Sequence, residues 1–217
     1  IIIMDLTLVI RNGCISSKIA LCVIAFKRLD IEIVTIEETP EWLLYYSPNG
    51  ATPTLLIKTL HDTIGINEIV TIIQYLDTLQ GPSLYPRLTT GQINPLEKAI
   101  IDCHIKTKIE ALIKNLNSIS RDFSNEKPKK IIKSIISDIE KNYLDGEKSF
   151  LHKFLYRNEV SVADVMLYQI FDYLFTQLAP SHVEILNGVQ LKNTLPWYNY
   201  LKSQYFNRAM NNQIIRL

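Results

Sequence analysis

The stretch Ser47-Pro48-Asn49-Gly50-Ala51-Thr52-Pro53-Thr54-Leu55-Leu56-Ile57 sets a turn and a strand back to back. Proline fixes φ and Asn-Gly supplies backbone angles that other residues avoid, so the first four residues break the chain direction. Pro53 to Ile57 then reads as a strand. A polar turn through His61-Asp62 leads into a short return strand, Thr63 to Ile66, which makes the pair an antiparallel hairpin. From Asn67 to Leu79 the apolar residues fall at Ile69, Ile72, Ile73 and Leu76, the spacing of one helix face.

Working outward from this hairpin and helix, the upstream residues alternate between the same two periods. Leu6 to Ile10 is β-branched and apolar, a buried strand by pattern. Ser17 to Arg28 places Ile19, Cys22, Val23 and Phe26 at helical spacing, and Ile31 to Ile36 suits a strand covered on both faces. A strand, a helix and a strand over so short a span predict a βαβ unit with a parallel pair. A short helix follows at Glu41 to Tyr46. The first eighty or so residues thus have the order β-α-β-α-β-β-α.

Downstream, Gln80-Gly81-Pro82-Ser83 and Tyr85-Pro86 interrupt the pattern, and residues 81–89 read as a linker. Beyond it the period is helical. The spacing predicts helices from Asn94 to Asn117, Lys127 to Tyr143, Ser161 to Leu178 and Trp197 to Met210. Pro95 fits a first turn, where its missing N–H costs nothing. The expected organisation is an α/β domain over 1–80 and an all-helical domain over 90–217.

Composition narrows the function classes. The chain has 217 residues, 47% of them hydrophobic and 21% charged, enough apolar side chain for a sizeable core. Lysine and arginine number 23 against 22 acids, a net charge of +1, which argues against general or sequence-specific contact with nucleic acid. No charge-free run reaches the length of a membrane span. Ile1 to Ile10 carries its charge after the apolar part, the reverse of a secretory signal. Three scattered cysteines point to a reducing, cytoplasmic setting.

The residue with the most chemical interest is Cys14, in Arg11-Asn12-Gly13-Cys14-Ile15-Ser16-Ser17 between the first strand and the first helix. A helix N-terminus offers partial positive charge and free N–H groups that favour a thiolate, and Arg11 is close by in sequence. The position equally suits an unreactive loop thiol, and the residues leave both readings open. Ser17 stands where a dithiol enzyme would carry its second cysteine, so any disulfide chemistry here is of the monothiol kind. Ser16 and Ser17 are alternatives as thiol activators, each read first as the helix cap. Ser161-Val162-Ala163-Asp164 has the form of a capping box, Ser161 capping the helix and Asp164 reaching back. Cys103-His104 lacks metal-ligand spacing, and no metal is expected. Lys127, Lys129, Lys130 and Lys133 read as a solvated helix start. Trp42, Tyr45 and Tyr46, with Trp197, Tyr198 and Tyr200, read as packing residues of which an exposed subset would anchor a partner.

Three of these segments, in this order, resemble the glutathione transferase superfamily. Ala51-Thr52-Pro53-Thr54-Leu55 is similar to its Val-Pro-Thr-Leu segment, whose proline is cis. Asn67-Glu68 with Tyr75-Leu76-Asp77 resembles its Glu-Ser helix, and Ser161 to Asp164 its second-domain capping box. The resemblance implies a thioredoxin-like α/β domain followed by an all-α domain. It also implies a glutathione-like site at Thr52, Pro53 and Glu68, with Cys14 as the catalytic thiol if the protein is an omega-like thiol transferase. The serine that would follow Glu68 and help hold the γ-glutamyl carboxylate is Ile69, which has no hydroxyl; the lost bond is worth ~1.5–3 kcal/mol. Within the superfamily the chain is most similar to the stringent starvation protein A subfamily, through Ser47-Pro48-Asn49-Gly50, Tyr75-Leu76-Asp77 and Leu84-Tyr85-Pro86. That likeness implies a non-catalytic, homodimeric adaptor of RNA polymerase and its sigma factor. It implies no cofactor, glutathione being the one ligand the alternative admits. The subfamily's Pro-His-Pro-Pro stretch is replaced here by Gln80-Gly81-Pro82-Ser83.

Overall fold

A computed structural model describes residues 5–142, 144, 155, 159–178 and 184–206, and divides the chain into two compact units, one through Pro82 and one from Ser83. The parts of the predicted segments at 1–4, 143 and 207–210 lie outside the described residues.

The first unit is built on a four-stranded mixed sheet. Its strands are β1 (Asp5–Arg11), β2 (Glu32–Ile36), β3 (Thr54–Lys58) and β4 (Thr63–Ile66). They lie in the order β2-β1-β3-β4. β1 runs parallel to β2, with Leu8 opposite Ile33, and antiparallel to β3, with Leu8 opposite Leu55. β3 and β4 form the hairpin, Leu55 opposite Ile66. β2 is an edge strand, paired with β1 alone, and Ile33 and Val34, on opposite faces, are each partly buried. The central β1 and β3 carry the buried residues Leu8, Val9 and Leu55.

Helices α1 (Ile15–Lys27) and α3 (Ile69–Thr78) pack on each other, burying Ile19, Val23, Ile72 and Leu76. The short α2 (Glu41–Leu44) lies between β2 and β3 in the chain. At the end of α1 the Lys27 ammonium is fully buried. It donates to Asp77 Oδ1 at 3.2 Å, the Asp77 carbonyl at 3.3 Å and the Pro82 carbonyl at 2.8 Å. A lysine so buried is tolerated because it is paired with a carboxylate and its other protons are hydrogen-bonded. Gly81 completes the tie: at φ +102° it passes so near Lys27 that an added Cβ would sit 2.4 Å from the Lys27 carbonyl oxygen.

The second unit is helical. The expected long helix from Asn94 is realised as α4 (Pro95–His104), one π-helical turn (Ile105–Ile109) and α5 (Glu110–Arg121). Asn94 caps it through Leu96 N–H at 3.1 Å and Glu97 N–H at 3.3 Å. α6 (Glu126–Asn142) packs on α5. α7 (Val162–Thr176) is buried along most of its length and contacts α4, the π turn and α8 (Thr194–Leu201). Glu140 of α6 caps α8, accepting from Asn193 N–H at 2.7 Å, Thr194 N–H at 2.9 Å and the Thr194 hydroxyl at 2.6 Å. Trp197 is buried and meets Phe171 edge-on. No helix among the described residues is long and apolar enough to cross a membrane.

Candidate functional site

The site begins where β1 gives way to α1. Gly13, at φ +76°, turns the chain in the left-handed region that glycine reaches at no steric cost. Cys14 is then the N-cap of α1, at φ −77° and ψ 120°, and no side chain caps the helix there. This corrects the assignment of Ser16 and Ser17 as caps. Both lie inside the first turn, and the buried Ser17 hydroxyl instead accepts from the Arg11 backbone N–H at 3.4 Å. The Cys14 thiol is half-buried and donates to the Thr52 carbonyl, with Sγ 3.5 Å from that oxygen. Cys22 is buried in α1, and Cys103 is exposed in the second unit.

Thr52 is presented by the turn quoted at the outset. The Thr52–Pro53 peptide is cis. The turn before it is closed from within: Ala51 N–H donates to Asn49 Oδ1 at 3.1 Å, and the Thr54 hydroxyl to the Ala51 carbonyl at 2.7 Å. The fully buried Ser47 hydroxyl lies 3.1 Å from Asn49 Oδ1 and 3.3 Å from the Ala51 carbonyl. The Asn67 side-chain amide donates to the same hydroxyl at 3.3 Å, which ties this turn to the start of α3. Cys14, Thr52 and the residue pair Asn67-Glu68 are thus connected by short polar contacts.

The N-terminus of α3 has its own side-chain cap. Glu68 is the N-cap of α3. Its carboxylate folds back onto its own helix, accepting from Val70 N–H at 2.9 Å, Thr71 N–H at 2.7 Å and the Thr71 hydroxyl at 2.7 Å. Free amides in a first turn are ready anion donors. Here two of them already hold an anion that belongs to the chain. Ile69, the next residue, adds its backbone N–H but no side-chain donor. Arg11 is likewise engaged, its guanidinium donating to Thr39 Oγ1 at 2.9 Å.

The fold that carries these residues is that of a known group of structures, though neither a family model nor any curated protein matches the sequence. A serine-to-cysteine variant of poplar glutathione transferase F1 superposes with a TM-score of 0.70 at 17% identity, over 95% of this chain and 97% of that one. The fold is that of the glutathione transferases. A tau-class glutathione transferase from mango gives a TM-score of 0.68 at 19% identity, covering 92% of this chain and 89% of its own. A maleylacetoacetate isomerase from Anaeromyxobacter dehalogenans, solved with glutathione in its active site, gives 0.65 at 16% identity over 96% of each chain. The glutathione transferase fold therefore spans nearly the whole chain.

Ser161 and Asp164 belong to the helical unit. The capping box is complete. Asp164 Oδ2 accepts from Ser161 N–H at 2.9 Å and from its hydroxyl at 2.6 Å, and Asp164 N–H lies 3.4 Å from Ser161 Oγ. Oδ1 accepts from Leu155 N–H at 2.9 Å. Burial pushes the Asp164 carboxyl above its ordinary range, against these hydrogen bonds, which pull it down. His104, at the end of α4, has its imidazole pushed down, first by burial and then by the Lys108 ammonium. Lys108 is paired with Asp138 of α6. Among the described residues no three histidine, cysteine or acidic side chains gather as a metal site.

Sequence reasoning missed Ser47, Asn67 and Thr39 as the residues that fix the site. Ser47 and Asn67 flank predicted elements and carry turn chemistry. Their meeting depends on the hairpin's register, which no local pattern reports.

Proposed function

We propose that this protein is a non-catalytic adaptor on a glutathione transferase fold, acting through protein contacts. The observation that carries the reading is the Glu68 carboxylate seated on the first-turn amides of α3. An incoming carboxylate, such as that of a γ-glutamyl group, meets a like charge where it needs donors, and Ile69 offers no hydroxyl in compensation. Resemblance to the stringent starvation protein A subfamily supplies the finer proposal: RNA polymerase and its sigma factor as partners, with the adaptor a cytoplasmic homodimer. Calorimetric titration of glutathione and co-purification with RNA polymerase holoenzyme test it. The adaptor reading expects no glutathione heat and retention of the polymerase. Tight glutathione binding without polymerase retention is the outcome that sinks it.

A second reading rests on Cys14, which occupies the N-cap position of α1, where no side-chain hydrogen bond caps the helix. In that reading the protein is an omega-like thiol transferase. The Cys14 thiolate attacks the glutathionyl sulfur of a substrate–glutathione mixed disulfide, forming a protein–glutathione disulfide and releasing the substrate thiolate; reduced glutathione then attacks the protein disulfide, giving oxidised glutathione and freeing Cys14. Mass spectrometry after exposure to oxidised glutathione tests this. Adduction at Cys14, lost in Cys14→Ser, with turnover of a small disulfide substrate, favours the enzyme.

A further inference from the structure

We infer that the segment around α2 is a docking surface for a basic protein partner, a proposal that rests on the adaptor reading above. Between Arg28 and Lys58 the chain contains no lysine or arginine, and its acids are Asp30, Glu32, Glu37, Glu38 and Glu41. All five are exposed. In a chain whose net charge is +1, this is an acidic run, into which Arg11 reaches to donate to Thr39 Oγ1 between Glu38 and Glu41.

Apolar side chains stand out of the same acidic segment. Tyr45 is 86% exposed, Leu44 44% and Trp42 43%. Tryptophan and tyrosine are the residues that most often carry interface energy, and a charged rim around them steers an oppositely charged partner. These side chains keep much of their apolar surface in water, in the same segment as Glu37, Glu38 and Glu41.

The segment is also held in one shape. Leu43, in the middle of α2, is fully buried, and its carbonyl accepts from Tyr46 N–H at 3.0 Å and Ser47 N–H at 2.8 Å. Thr39 is fastened by Arg11, and Tyr46 lies against Gly65, where an added Cβ would come within 2.6 Å of Tyr46 Cβ. A surface fixed in advance loses little entropy on binding. The charge selects a lysine- or arginine-rich segment, and the aromatic groups require that segment to present an apolar face as well.

The test follows the fluorescence anisotropy of a labelled lysine–leucine amphipathic peptide titrated with the full chain. A glutamate–leucine peptide with the same apolar face is the control. The expected result is binding of the lysine peptide alone, weakening as salt rises. Trp42→Ala with Tyr45→Ala should weaken it at least about tenfold, the scale of a lost anchor. Glu37→Gln, Glu38→Gln and Glu41→Gln together should weaken it and flatten its salt dependence. Equal binding of both peptides, or an unchanged affinity in the Trp42/Tyr45 variant, overturns the proposal. So does sedimentation showing that this variant loses self-association while peptide affinity is unchanged, since the occupant is then a second copy. Glutathione titrated into the same samples reads the adaptor proposal separately: its uptake with retained peptide binding counts against the adaptor and leaves the surface standing.

Discussion

Helices α1 and α3 start in the same unit and are finished in opposite ways. The first turn of α1 is left without a side-chain cap and has a thiol at its N-cap. That of α3 is closed by the chain's own carboxylate. In this chain the two helix starts lie at the two ends of one polar network, through Thr52, Ser47 and Asn67. The difference is that a thiol stands at an uncapped helix start, while two first-turn amides of α3 are already held by Glu68. The start of α7, where Ser161 and Asp164 close a buried first turn, shows what a purely structural closure looks like.

The largest expected effect comes from that structural reference. Asp164→Ala strands the Ser161 N–H, the Ser161 hydroxyl and the Leu155 N–H in a buried setting, and should cost about 3 kcal/mol or more in denaturant unfolding. Ser161→Ala, which removes one cap, should cost about 1 kcal/mol. If Asp164→Ala is as mild as Ser161→Ala, the closed start of α7 is not the structural yardstick taken here.

Next in size is the gain expected at α3. Ile69→Ser together with Glu68→Gln adds a hydroxyl and removes the competing negative charge, so glutathione affinity should rise at least about tenfold, by the ~1.5–3 kcal/mol of a bond to a charged group. A double variant that binds no better than the parent would break the contrast between the two helix starts. Alkylation of the native protein sharpens the α1 side. Cys14 and the exposed Cys103 should be modified, and the buried Cys22 should be protected until unfolding. Modification of Cys22 at the rate of Cys103 would contradict the packing of α1.

The smallest effect lies in the second unit. The His104 pKa is lowered in the folded chain from 6.5, so the unfolded chain takes up the proton first as pH falls. The His104 contribution is therefore complete above about pH 6.5 and is lost as pH falls below it. A pH series of melts on the parent and His104→Asn should show the smaller acid loss in the variant. Identical slopes would remove His104 from the account.

The architecture was largely legible in the sequence. Period-2 and period-3.6 patterns are local, so the strands, the hairpin and the helical second half appear where Leu6 to Ile10, Pro53 to Ile66 and Ile69 to Leu76 place them. What the pattern does not carry is which strand lies at an edge, since β2 reads as apolar whether one neighbour or two pair with it. The π turn at Ile105–Ile109 was equally hidden, because its isoleucines continue the helical stripe of α4 and α5. At the site, Ile69 shows its missing hydroxyl directly. The direction of the Glu68 carboxylate does not show: outward to a ligand and inward to Val70 and Thr71 are rotamers of one side chain. The helix cap went to Ser16 and Ser17 because their hydroxyls are usual caps, whereas Gly13 brings the chain into α1 early enough to leave Cys14 there.

The claim at the centre of this account is that Glu68 and Ile69 close the anion end of the site. Isothermal titration of glutathione into the parent chain and into the Glu68→Gln, Ile69→Ser variant tests it most directly. The account predicts no measurable binding by the parent and saturable binding by the variant. Tight, saturable binding by the parent, unchanged in the variant, would contradict it.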